Sequence, residues 1–282
     1  RAVKTAKRDG AQNVDYRWLG KLQGMRRWVG DRVINNVAKD GYKVENQPFE
    51  NTIGVDRDDI EDDQIGIYNP LVADLGQTAA EHPDFLVWNL LKSGFTEVCY
   101  DGQYFFDTDH NEGDSGTQSN DLTRAIVAAA SPTADEMADS IMAGIQAMYG
   151  FKDDRGEPMN QSATEFTVMI PPSYMAATLK AVKGLLGEGG KSATLPALKG
   201  DFTIRVVVNP RLTWTTKFLI LRTDEAAKPF ILQEEDVPGV MALGEGSEYE
   251  QLNKEQLYGV DWTGNVGYGY WQFAVLMTHT SA

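Results

Sequence analysis

The feature that most constrains this chain is a stretch that cannot fold alone. From Val14 to Val55, two extended segments, VDYRWLG and YKVENQPFENTIGV, flank GMRRWVGDRVINNVAKDG, where Trp28, Val29, Val33, Ile34 and Val37 recur at helical spacing. Gly41 supplies a helix stop, and Ile53 and Val55 alternate as in a strand. This strand, helix, strand excursion, residues 14–55, holds too few apolar side chains for a core of its own, so it is expected to lie on something else. Residues 1–13 ahead of it lack apolar periodicity and read as an extended or disordered arm.

Charge is distributed as unevenly as apolarity. The formal net charge is -15, which argues against a general nucleic-acid binder, because phosphate contacts need a lysine- and arginine-rich surface. Residues 1–32 nevertheless carry nine Lys and Arg against three acids, a net of +6, which leaves 17 basic against 38 acidic residues, or -21, elsewhere. Trp18, Leu19, Trp28 and Val29 are interleaved with these charges. That mixture favours docking on a partner surface over a solvated tail. Arg17, Trp18, Lys21, Arg26, Arg27, Trp28 and Arg32 are therefore the candidate partner contacts, and the acids at 56–63 are a natural counterpart.

The remainder reads as α+β. Asp56, Asp58, Asp59, Glu61, Asp62 and Asp63 lead into a helical stretch through Leu71, Val72, Leu75, Leu86, Val87, Leu90 and Leu91, with Pro70 and Pro83 as punctuation and Gly94 as its end. Carboxylates at that helix's N-terminus would be stabilised by its dipole, which explains the acids without metal. Thr133 and Glu136 form a capping box before a helix to about Tyr149, with Met137, Ile141, Ile145 and Met148 on one face. EFTVMI reads as a strand and Pro172 opens another helix. FTIRVVV, WTTKFLILRT, PFIL and a continuous apolar run, GYGYWQFAVLMT, complete a strand-rich end, the last suited to one central, doubly buried strand. Helices and strands alternate irregularly.

Length and composition, 282 residues with 42% hydrophobic, suit a sizeable core. Cys99 is the only cysteine, so no intrachain disulfide forms, as suits a reducing cytoplasm. No apolar run reaches the roughly 20 residues of a membrane span, and the first segment lacks the apolar centre of a signal peptide.

Several motifs tempt and fail. Gly113-Asp114-Ser115-Gly116 spells the surroundings of a trypsin-like nucleophile, but the preceding histidines are His82, in a helical region, and His110, five residues away. Gly190-Lys191-Ser192 ends like a phosphate-binding loop, yet Leu185 stands where the first glycine is required. Asp107, Asp109 and Asn111 begin like a calcium loop, but Glu112 and Gln118 occupy positions that need glycine and glutamate. His82, His110 and His279 show no paired metal-ligand spacing. No catalytic residue, cofactor or metal is expected.

Read as strings, WVGDRVI (28–34), GVDRDDIEDD (54–63), AAEHPD (79–84), LLKSGF (90–95) and CYDGQYFFDTDH (99–110) closely resemble the Mu-type phage major head subunit family, and GNVGYGYWQFA (264–274) looks like its closing strand. That family is similar to tailed-phage capsid proteins of the Hong Kong 97 type. The resemblance implies an N-terminal arm (1–13), an extended loop (14–55), a peripheral domain with a spine helix (56–120), an axial domain (121–258) and a return to the peripheral domain (259–282). It further implies a non-enzymatic shell protein that assembles with itself through pentamers and hexamers into an icosahedral head. The expected partners are a scaffolding protein, a portal, a decoration protein and packaged double-stranded DNA read without sequence specificity, with no membrane. Assembly in the host bacterial cytoplasm and residence in the virion follow. An encapsulin-like nanocompartment shell and a soluble hydrolase are the alternatives.

Overall fold

A computed structural model describes residues 3–7, 13–16, 42–61, 66, 68–183, 203–235 and 239–282. The predicted helix within 28–37, the 190–192 motif and all seven candidate contacts between Arg17 and Arg32 lie outside the described residues. The fold is α+β, with two five-stranded sheets.

The first sheet is organised by one long strand, β11 (Glu255–Tyr268). Along ten positions, from Asp56 opposite Glu255 to Gln47 opposite Gly264, it pairs antiparallel with β4 (Gln47–Asp56). Its last part, Gly264 to Tyr268, pairs with β9 (Phe230–Glu234), and β9 in turn takes β1 (Val3–Lys7) as a parallel neighbour. On that same edge, opposite β4, β11 also pairs with β10 (Gly239–Leu243) over Leu257 to Asp261. A separate antiparallel pair, β2 (Asn13–Tyr16) and β3 (Tyr42–Glu45), brackets residues 17–41.

Against this sheet lies α2 (Tyr68–Lys92). Leu75, Val87, Leu90 and Leu91 are buried, as their spacing requires. Two details differ from the sequence expectation. Among the described residues, the first turn of α2 holds no acid; Asp58 and Asp59 sit in the first turn of a separate short helix, α1 (Arg57–Glu61), where Asp56 Oδ1 accepts the Asp58 N–H at 2.8 Å, and Asp62 and Asp63 lie outside the described residues. Pro83 lies inside α2 without ending it. An interior proline costs about 3 kcal/mol, and burial of a Leu or Val side chain contributes about 1.5–3 kcal/mol, so the four buried residues outweigh it. The helix stops at a 3-10 turn, Ser93–Phe95, where a side chain on Gly94 would strike the Phe106 ring.

The second sheet runs β5 (Asp121–Ile126), β12 (Ala274–Ser281), β8 (Lys217–Arg222), β6 (Glu165–Ile170), β7 (Thr203–Val208). On it pack α3 (Ala134–Gly150), with the expected Thr133–Glu136 capping box, and α4 (Met175–Lys183). Met137, Ile141, Ile145 and Met148 are all buried.

The run GYGYWQFAVLMT is not one strand. It holds the end of β11, a 3-10 turn at Trp271–Phe273 and the start of β12, so it carries the chain from the first sheet to the second. At the break, Gly269 packs so closely on the backbone of Lys228 that no side chain fits there, while its N–H bonds Pro229 O at 2.8 Å. Consequently β11 belongs to the first sheet and the final strand, β12, to the second. The crossover lies in the main core, where Tyr268 stacks on Phe105 at 4.6 Å and donates to Leu90 O at 2.7 Å.

Candidate intersubunit surface and buried polar cluster

The basic and tryptophan contacts fall outside the described residues. β4, β11 and α2 bring Phe49, His82 and Trp262 together. Phe49 lies 4.4 Å from His82 and 5.7 Å from Trp262, ring centre to ring centre. With Asn51, Thr78 and the acids Glu50 and Asp261 they line a cavity of about 110 Å³. His82 Nε2 and Trp262 Nε1 are buried there without hydrogen-bond partners, and burial lowers the His82 pKa. Nearby on α2, Leu71 and Phe85 are exposed; at the other side of the sheet, Val240, Met241 and Leu243 of β10 and Leu252 of α5 (Glu248–Asn253) are exposed as well. Unburied apolar side chains on an edge strand mark a face suited to a partner.

The motifs from the sequence fall at a different place, under the crossover. The Gly113–Gly116 turn uses positive φ at both glycines, 52° and 72°, and a side chain on Gly113 would collide with Asp154 O. Ser115 Oγ accepts the Glu112 N–H at 3.0 Å and donates to Gly116 O at 2.9 Å. His110 turns instead to Asp101, with Nδ1 2.6 Å from Oδ2, and stacks on Trp271 at 4.0 Å. The bonds of a nucleophile and its base are therefore not formed between Ser115 and His110. Asp109, the middle residue of the calcium-like string, has its pKa raised by a hydrogen bond with, and repulsion from, Asp107.

What spacing alone missed is a buried cluster. Cys99 Sγ donates to Asp101 Oδ1 at 2.9 Å, and Gln103 N donates to the same oxygen at 3.1 Å. Burial pushes the Asp101 pKa up, but the His110 and Cys99 hydrogen bonds outweigh it and hold the carboxyl below its usual range. Burial, then the charge of Asp101, pushes the Cys99 thiol far up. Beside them Glu112 Oε1 accepts from Tyr100 at 2.7 Å, Trp271 at 3.0 Å and Gln272 at 3.2 Å; burial raises the Glu112 pKa. The sequence signal was short-range turn formation: a Val98–Tyr104 bridge and a His110–Gln118 bridge fold the C-x-D-x8-H string onto itself.

The fold matches shell proteins of tailed phages. A procapsid chain of bacteriophage JBD30 superposes with a TM-score of 0.55 at 26% identity, covering 99% of this chain and 67% of that one. A capsid chain of cyanophage P-SCSP1u superposes with a TM-score of 0.64 at 10% identity, covering 100% and 87%. Two curated relatives match in sequence. The major capsid protein of Escherichia phage Mu is 50% identical over 95 residues, 34% of this chain and 31% of its own. The Mu-like prophage FluMu major head subunit of Haemophilus influenzae is 47% identical over 98 residues, 35% of this chain and 32% of its own. The matched stretch thus spans about a third of these relatives. The architecture is the tailed-phage capsid fold of the Hong Kong 97 type. Residues 2–131 and 196–280 match the family described as Mu-like prophage major head subunit gpT, and the chain belongs to that family.

Proposed function

We propose that this chain is a major capsid protein that builds the icosahedral head of a tailed phage by binding copies of itself, without catalysing a reaction. The observation that carries the reading is the family match, which takes in both halves of the chain. In this reading the peripheral part is α2 with the β11 sheet, and the axial part is the β12 sheet with α3 and α4, placed at the centres of pentamers and hexamers; the expected bounds shift accordingly, because β12 joins the axial sheet instead of returning to the peripheral part and β9 and β10 leave 121–258 for the peripheral sheet. The partners are a scaffolding protein, a portal, a decoration protein and packaged DNA held without sequence specificity. Assembly takes place in the host cytoplasm and the protein ends in the virion.

The 14–55 excursion is anchored on its own chain by β2, β3 and β4, and its central part, residues 17–41, lies on a neighbouring subunit, where Arg17, Lys21, Arg26, Arg27 and Arg32 face acidic surface and Trp18 and Trp28 supply the apolar contact. The exposed apolar residues of β10 and α5 add further contact area. A closed shell gains from many contacts per copy, so each can be weak. One exposed ion pair is worth about 0–1 kcal/mol. The test is sedimentation with electron microscopy of the chain expressed with its scaffolding partner. Wild type forms capsomers or shells, while Arg26→Glu with Arg27→Glu, and separately Trp28→Ala, fold but assemble poorly. Normal, salt-insensitive shells from both variants would remove this segment from the interface.

A further inference from the structure

We propose that Cys99, Asp101 and His110 form a binding site for a divalent transition-metal ion of the zinc class. Their ligand atoms all lie within 4.8 Å of one another, and the Cys99 and His110 side chains are buried with Asp101 between them. Zinc bonds of about 2.0–2.3 Å place neighbouring ligands of a tetrahedral ion about 3.3–3.8 Å apart. Small outward shifts from the present 2.9 and 2.6 Å hydrogen bonds reach that spacing.

Two independent observations favour a cation over a plain hydrogen-bonded trio. First, the Asp101 carboxyl is buried beside the half-buried carboxyl of Glu112, and among the described residues neither makes an ion pair with lysine or arginine. Buried negative charge is tolerated when it is paired or coordinates metal. Second, the thiol is a weak hydrogen-bond donor to place on a buried carboxylate, where a hydroxyl would bind better; its particular use is as a soft thiolate ligand. His110 Nε2 meets no partner, so no second bond fixes the imidazole proton on Nδ1. On binding, the Cys99 S–H bond breaks, a sulfur–metal bond forms and the proton leaves to solvent. The His110 proton moves from Nδ1 to Nε2, freeing the Nδ1 lone pair; Asp101 and a water complete four-coordination.

Such an ion would tie the 99–110 hairpin in place beneath Trp271, at the crossover between the sheets. The experiment is metal content of purified, assembled protein after dialysis against zinc buffer, together with cobalt(II) absorption. Wild type is expected to hold zinc equimolar with chain, to give a thiolate-to-cobalt charge-transfer band, and to lose thermal stability on chelation. Cys99→Ser keeps a hydrogen bond to Asp101 and should fold, but bind no zinc, give no such band and be indifferent to chelator. Only trace zinc in folded wild type, or equal zinc in Cys99→Ser, would overturn the proposal and leave an Asp101–His110 pair without metal.

Discussion

Arg222 of β8 closes a 2.6 Å bond from Nε to Asp224 Oδ1 while only 2% of the arginine is exposed. The rest of the guanidinium is satisfied too: Nη1 reaches Asn160 Oδ1 at 3.0 Å, Nη2 reaches Ser162 Oγ at 3.0 Å and Glu225 at 2.9 Å, and the group lies over the Phe273 ring. It therefore ties β8 to the 160–162 turn and to the crossover.

Arg222→Met should destabilise the dissociated subunit by about 1–3 kcal/mol, because it removes the guanidinium donor of the buried Asn160 Oδ1, while the partly solvated Asp224 and Glu225 are met by water. Arg222→Lys should recover little, since an ammonium cannot reproduce the planar fork. Urea denaturation of subunits below the assembly concentration measures both.

The contact of α3 with the second sheet depends on Gly144. A side chain at that position would run into Ile220 Cδ1 of β8. Gly144→Val is expected to cost about 1–3 kcal/mol through overpacking, and Gly144→Val with Ile220→Ala to recover part of it. The same denaturation experiment, run as a double-mutant cycle, reads the coupling.

At the start of α3, Thr133 Oγ1 accepts the Glu136 N–H at 3.2 Å while Glu136 Oε2 accepts the Thr133 N–H at 2.8 Å. Thr133→Ala should cost about 1 kcal/mol. Thr133→Ser should restore most of it, measured as a shift in denaturation midpoint.

His279 is buried between Tyr174 and Ser140, with ring nitrogens 3.1 and 2.9 Å from their oxygens, and desolvation lowers its pKa from 6.5. The unfolded chain then binds the proton at a higher pH than the folded one. Its contribution to stability is complete above about pH 6.5 and is lost as pH falls towards the depressed folded value. His279→Gln should lower stability at neutral pH yet flatten the loss just below pH 6.5, a difference seen by comparing melting curves of the two proteins across that window.

Much of the fold was legible because local chemistry and packing agree. The Thr133–Glu136 box, the apolar stripe from Met137 to Met148 and the EFTVMI strand need only short-range pattern. The 267–278 run misled because periodicity cannot reveal that Gly269 meets the Lys228 backbone, a contact across about forty residues of chain. The acids at 56–63 misled because dipole stabilisation names a helix end without saying which helix. The Cys99, Asp101 and His110 cluster was hidden because its spacing matches no metal motif and depends on two tight bridges.

The central claim is the proposal that this chain builds a closed shell, and cryo-electron microscopy of the chain expressed with a scaffolding protein tests it most directly. The account predicts icosahedral shells with the β12 sheet gathered at the centres of five- and six-fold capsomers and residues 17–41 resting on a neighbouring copy. A chain that stays monomeric at high concentration with scaffold present would contradict it.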